Sequence, residues 1–356
     1  MIERRPDYYT QFHCLGGVCP DTCCRDWSVV PDEAALADYA TAPSPLRERI
    51  AQNLVTDEDG DICFRLDGGG MCALLTPDGL CPIQRDWGEE HLCAHCAAYP
   101  RFIEEYGCLT EFSLAVSCPE AARLLLEAPR FALTEMDDGK ADPPFDGVDP
   151  DLLAGLEYSR AQVLALLGGG GGLWNKFRSI LTYAEALQGC IDRGEYGKMT
   201  DCTPTLTLPE DNPQRQASAV WLLNALANLD PLRPDWLTLL KDRAQQLSLL
   251  SRAKYTALCV DYARANPECE RQFTNLACYF VFRHWHKAVN DDMLYGRAAF
   301  VCAAVAALYH LALFQSGEEI TLWSRFSREV EHDENNLDEV VWALSGPGRS
   351  SLVSLF

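Results

Sequence analysis

Apolar residues recur at three- and four-residue spacing through much of the chain beyond position 150. Residues 151–167, 173–195, 217–229, 235–265, 270–289, 297–314 and 337–344 therefore read as amphipathic helices. Leu222, Leu223, Leu226 and Leu229 form one such stripe, and polar, proline-bearing loops at 202–204 and 209–213 separate the helices. The five glycines at 168–172 follow a helix and lack the lysine of a phosphate loop, so they read as a helix break. The apolar run 298–314 falls short of the ~20 residues a bilayer span needs and contains His310. It reads as a buried core helix. Earlier in the chain the pattern is short and irregular. Residues 27–30, 62–66 and 109–116 resemble strands, and 32–52 are helix formers broken by Pro43-Ser44-Pro45. Pro77-Asp78-Gly79 marks a turn. Ser117, Pro119 and Glu120 form a capping box for a helix that Pro129 ends. No run of parallel-sheet strands and no fixed-period repeat is visible. The expectation is a mainly α protein: an irregular cysteine-rich domain with short strands over 1–135, a linker rich in Asp, Gly and Pro over 136–150, and an all-helical domain over 151–356.

At 356 residues the chain has room for two or three domains. A net charge of −22 speaks against nucleic acid as a partner, because a polyanion would be repelled. It can steer a cationic partner such as a lysine side chain, or serve solubility alone. The opening residues, Met1 to Asp7, contain no apolar signal-peptide core. The expected compartment is the cytoplasm, where thiols stay reduced, with no membrane partner.

That compartment gives the cysteines their meaning. Eleven of the 17 fall in the first third of the chain. Cys93 and Cys96 form a CxxC, Cys19, Cys23 and Cys24 a CxxxCC, and Cys72 and Cys81 flank the predicted turn. Cys118 lies at a helix N-terminus, where the dipole stabilises a thiolate, although a buried structural cysteine would look the same. These eight thiols are the candidate metal ligands. Thiolates suit zinc and iron–sulfur centres. The pairs are unlike each other and thiols are in surplus, which favours an iron–sulfur cluster over zinc; four of them suffice for one [4Fe–4S] cluster. His95 is a further candidate ligand or an ordinary loop histidine. The group Tyr279, Phe280, Phe282, His284, Trp285 and His286 reads as a pocket wall or a core face, and Ser327 to His332 as a polar site or a solvated helix face. CxxxCxxC, GxGxxG, HExxH and GxSxG are all absent, which removes radical S-adenosylmethionine, Rossmann, zinc-protease and serine-hydrolase readings.

Four blocks stand out: Tyr8-Tyr9 with Phe12, Cys14, Gly16, Cys19, Thr22-Cys23-Cys24 and Trp27; Cys72-Ala73-Leu74-Leu75 with 79–84; 88–101 around Cys93 and Cys96; and 114–124 around Cys118. Together they resemble the flagellin lysine-N-methylase family. Ser327, Arg328, Glu331 and His332 are similar to a later part of that family. The first block also resembles a broader group of zinc- or iron-chelating domains. The resemblance covers the first 125 or so residues specifically and the helical remainder loosely. It implies methyl transfer from S-adenosylmethionine to lysines of flagellin and a [4Fe–4S] cluster in the cysteine-rich part. Ala97-Ala98 depart from it, since the family tends to carry an arginine after the second cysteine. Tyr99 and Tyr106, near the thiols in sequence, are the candidate catalytic residues, because the lysine amine must lose its proton before it can attack a methyl group. A non-catalytic module with a structural zinc or iron site is the alternative.

Overall fold

The computed structural model describes residues 1–137, 139, 147–206 and 212–356. The sequence-predicted linker at 136–150 and the loop at 209–213 lie partly outside the described residues. The described chain is mainly helical with six short strands, β1 (Ile2–Pro6), β2 (Leu54–Thr56), β3 (Ile62–Phe64), β4 (Arg101–Tyr106), β5 (Leu109–Leu114) and β6 (Leu133–Asp137). It divides into two compact units, and neither is continuous in sequence. One comprises Met1–Thr10, Ile103–Ser113 and Arg123–Phe356, the other Gln11–Phe102 and Leu114–Ala122.

The larger unit is built on helices. Its long members are α5 (Pro150–Gly168), α6 (Leu173–Ile191), α7 (Arg215–Leu226), α8 (Pro234–Leu249), α9 (Arg252–Ala265), α10 (Cys269–His284), α12 (Leu294–Ala312) and α14 (Glu334–Ser345), with the short α11 (Ala288–Asp291), α13 (Glu319–Phe326) and α15 (Arg349–Val353) between and after them. The glycine run ends α5 at Gly168 and supplies the N-cap of α6 at Gly172. The single helix expected over 235–265 is two. It stops at Leu250, and Ser251 caps α9 by accepting the amide of Lys254. Helix α12 is long and apolar enough to cross a membrane by length and composition, yet 94% of its most apolar window is buried inside the protein. It packs against α6, α7, α10, α13 and α14, which is why it is apolar on every side. Four strands lie in the order β4-β5-β1-β6, with β1 parallel to β5 and antiparallel to β6.

The cysteine-rich unit has little regular structure. It holds α1 (Glu33–Tyr39), α2 (Leu46–Asn53), the hairpin of β2 and β3, and α3 (Ala94–Ala98). The strand expected over 27–30 does not form; Arg25 makes an isolated bridge to Met71, and Trp27 turns edge-on to Tyr99. The unit's core is small, made by Ala35, Tyr39, Ala42, Ile50, Phe64, Leu74, Ile83 and Cys93, with Cys72, Cys81 and Cys96 packed against it. Cysteines thus take core positions that larger apolar side chains hold elsewhere.

Candidate metal centre

Backbone pairing brings the thiols together. Asp32 caps two helices at once: one carboxylate oxygen accepts the amide of Ala35 and the other that of Ala94. This pins Cys93 as the residue before α3 and places Cys96 one turn on. The Cys93 amide donates to the Tyr39 hydroxyl at 3.0 Å. Cys72 donates its amide to the Cys24 carbonyl at 2.8 Å, so the CxxxCC loop and the arm leading into the turn lie side by side. The turn forms as expected, with the Gly79 amide on the Thr76 carbonyl, and delivers Cys81. Gly17 and Gly79 sit face to face, 3.4 Å from a Cβ placed on Gly79, so the loop carrying Cys14 and Cys19 approaches that turn closely.

Several of these thiols lie within electrostatic reach of one another. Cys72 feels the charges of Cys24, Cys81 and Cys93, and Cys96 those of Cys93, Cys24 and Cys81. A second group is Cys14, Cys19, Cys23 and Cys118. Cys23 feels Cys14 and Cys118, and Cys118 feels Cys19 and Cys14. All eight sequence-predicted ligands fall in one group or the other. Cys14 joins them although it was not among the eight; its spacing five residues before Cys19 was the available signal.

No disulfide joins any of these thiols. Burial pushes the Cys72 thiol up to about 11, and its thiol neighbours add to the rise. Cys96 is raised by its hydrogen bond with Cys93, while that bond and the amide of Cys96 hold Cys93 down at about 6. One proton is thereby shared across the CxxC. Buried thiols that oppose each other's ionisation are released together by a thiophilic metal, whose charge replaces their protons. The donor set fits zinc or an iron–sulfur cluster. Among the described residues no three of these sulfurs draw within 4.8 Å of one another.

Cys118 shows a local surprise. The helix α4 (Pro119–Glu127) starts one residue after it, and its own sulfur, rather than the Ser117 hydroxyl, accepts the amides of Glu120 and Ala121. The Ser117 hydroxyl instead meets the Tyr99 hydroxyl at 3.0 Å. Tyr99 belongs to the cysteine-rich unit and is partly exposed. Tyr106 belongs to the helical unit, buried and edge-on to His286 with ring centres 5.4 Å apart, its phenol raised by burial.

Two polar networks lie in the helical unit, and the one around Glu331 gathers residues of the two groups singled out in the sequence. Glu111 on β5 is buried, accepts Arg160 at 2.7 Å and Arg4 at 3.0 Å, and lies near His286. Arg4 also binds Glu157 at 2.7 Å. Glu111, Glu157 and His286 have metal-ligand spacing, but two guanidiniums already neutralise the two carboxylates, so the group is an ion-pair network joining β1, β5 and α5. Glu331 is the second hub. It accepts the Ser327 hydroxyl at 2.5 Å, the Tyr279 hydroxyl at 3.0 Å and Arg283 at 3.3 Å, with His284 at 3.2 Å. Burial alone would raise Glu331; the His284 hydrogen bond and the Arg283 charge overcome it and hold the carboxyl well below the usual range. The aromatic stretch 279–286 is therefore core, and Ser327 to Glu331 are buried rather than a solvated face.

Part of the chain has curated relatives. Two proteins named lysine-N-methylase, from Salmonella typhimurium LT2 and Salmonella choleraesuis, are each 30% identical over 138 residues, 36% of this chain. A flagellar biosynthetic protein FliU from Salmonella muenchen is 29% identical over 131 residues, 35% of this chain and 76% of FliU. Over about a third of its length this chain is similar to proteins named lysine-N-methylase. The match spans about a third of the length of the two lysine-N-methylases, 34% of each. No family model matches the chain. No solved structure matches it either.

Proposed function

We propose that this protein is an S-adenosylmethionine-dependent protein lysine N-methyltransferase, with flagellin as its substrate and a [4Fe–4S] cluster held by thiols of the cysteine-rich unit. The observation that carries the reading is a set of unbridged, mostly half-buried thiols packed about one small core, in a chain similar to lysine-N-methylases. Bound there, the cluster would anchor the methionine end of the methyl donor or staple the fold. The residues of the chain have simpler tasks. A net charge of −22 draws a protonated lysine toward the surface. A desolvated site lowers the lysine pKa, because burial disfavours the ammonium, and only the neutral amine has a lone pair with which to attack the methyl group. The proton then needs a way out. The paired hydroxyls of Tyr99 and Ser117 offer one, and Tyr99 is the stronger of the two tyrosine candidates because Tyr106 is buried with a raised phenol. The cytoplasm, where thiols stay reduced, is the compartment that suits such a site.

Anaerobic purification, metal analysis and a methyl-transfer assay test the reading together. A brown, iron-loaded protein that binds S-adenosylmethionine by calorimetry and methylates lysines of flagellin supports it. Cluster-replete protein that binds no S-adenosylmethionine would leave the alternative, a structural metal-binding module, in its place.

A further inference from the structure

The helical unit carries a surface cavity that neither the thiols nor methyl transfer uses. Arg178, Leu181, Thr182 and Glu185, at helical spacing on α6, form one wall, and Tyr295 near the start of α12 and Val353 on α15 close it. It holds about 310 Å³ of space and opens to solvent. Gln188 fixes the two long helices against each other beside it. Its side-chain oxygen accepts the Tyr295 amide at 2.9 Å, and its nitrogen donates to the Asp292 carbonyl at 2.7 Å.

The polar groups of this cavity are left incomplete, unlike those gathered around Glu111 and Glu331. Arg178 is half-buried, and its guanidinium has no hydrogen-bond or ion-pair partner among the described residues. Tyr295 is 4% exposed, and its buried hydroxyl has no hydrogen-bond partner. A buried hydroxyl left unpaired costs stability until something completes it. Arg349 on α15 lies over the Tyr295 ring, 4.2 Å from its centre. Its charge opposes the rise that burial gives the phenol, but it is not aligned to donate a hydrogen bond to the hydroxyl. It pairs instead with Glu185 of the cavity wall. The Arg349 side chain is 38% exposed, so it can turn without disturbing the core.

We propose that this cavity binds a compact dianionic oxyanion of the phosphate class, held by Arg178, Arg349 and the Tyr295 hydroxyl. Phosphate offers at least three strong acceptor oxygens, and these three side chains supply the donors. Charge selects the dianion. The chain carries −22, and Glu185 already occupies Arg349, so a monocarboxylate gains little by taking its place. A dianion between two guanidiniums gains more. The volume is at the small end for a ligand site, which suits the phosphate group itself. Binding would draw Arg349 off Glu185, uncover the Tyr295 hydroxyl and tie α15 to α6 and α12.

The proposal is independent of the metal and methyl-transfer readings. The test titrates the full chain by calorimetry with inorganic phosphate above pH ~7, where phosphate is mostly dianionic. A simple alkyl phosphate monoester and acetate are titrated in parallel. Saturable heat is expected with phosphate or the monoester, the tighter of the two naming the source, and none with acetate. Arg178→Ala and Tyr295→Phe should each weaken binding about 10-fold. Tyr295→Phe keeps the ring beneath Arg349, so without phosphate its thermal midpoint should be no lower than that of the wild type. Glu185→Gln removes the competing carboxylate and should tighten binding about 3-fold. No heat from either phosphate compound, acetate bound as tightly as phosphate, or phosphate bound equally by wild type, Arg178→Ala and Tyr295→Phe would overturn the proposal.

Discussion

Among single residues Glu331 offers the sharpest test, because it is a buried carboxylate that Ser327, Tyr279, Arg283 and His284 all meet. Glu331→Gln leaves the Arg283 guanidinium buried and half-paired, and should cost about 3–5 kcal/mol in urea denaturation. An unchanged midpoint would show that Arg283 finds its balance in Glu104, 3.3 Å away. Little of this was legible in the sequence. The residues of 279–286 and 327–332 were visible as a group, but the sequence did not tell a core from a solvated face. Charged residues at helical spacing look alike in both cases, and only burial against partners fifty residues away decides. The thiols were far more legible. Cysteines are scarce, so their spacing carries information by itself. Cys14 was not singled out, because a cysteine five residues from its neighbour matches no tight ligand pair.

At the scale of elements, α12 governs the helical unit. A Cβ at Gly296 would stand 2.8 Å from the carbonyl oxygen and a methyl of Val341 on α14. A backbone carbonyl cannot swing aside, so Gly296→Ala should destabilise by about 1–3 kcal/mol despite its better helix propensity. Thermal unfolding followed at the far-UV helix signal checks this, and a gain in stability would contradict the close approach. The same helix makes folding pH-dependent. Burial, with the Arg215 charge adding to it, pushes His310 down to about 4, and its ring is held by the Tyr255 hydroxyl at 3.0 Å and the Ala306 carbonyl at 2.7 Å. A histidine depressed in the folded state binds its proton more readily when unfolded. Its contribution is complete above pH ~6.5 and is lost as pH falls toward 4, by up to about 3 kcal/mol. His310→Gln should flatten that part of the stability profile. Helices were legible because their partners are their own neighbours along the chain. The strands β1 and β6 were not: Ile2 pairs with Leu109 on one side and Asp137 on the other, so the sheet joins segments over a hundred residues apart. The strand-like 27–30 stays irregular, with a backbone bond from the Phe64 amide of β3 to the Val29 carbonyl but no ladder.

Across the whole molecule, the cysteine-rich unit has a core too small to hold itself by apolar burial alone, and its thiols replace part of that core. Removing metal anaerobically with a strong chelator should therefore loosen residues 14–24 and 72–96 and leave the helical unit intact. Hydrogen exchange measured by mass spectrometry would show faster exchange confined to the first region; uniform change, or none, would mean that the thiols stabilise the unit without metal. The measurement closest to the central claim is transfer of labelled methyl from S-adenosylmethionine to flagellin by the anaerobically purified protein, run beside its Cys81→Ser/Cys96→Ser variant. Label on lysine with the wild type, lost together with iron in the variant, is the predicted result. Iron-replete wild-type protein that leaves flagellin unlabelled would contradict it.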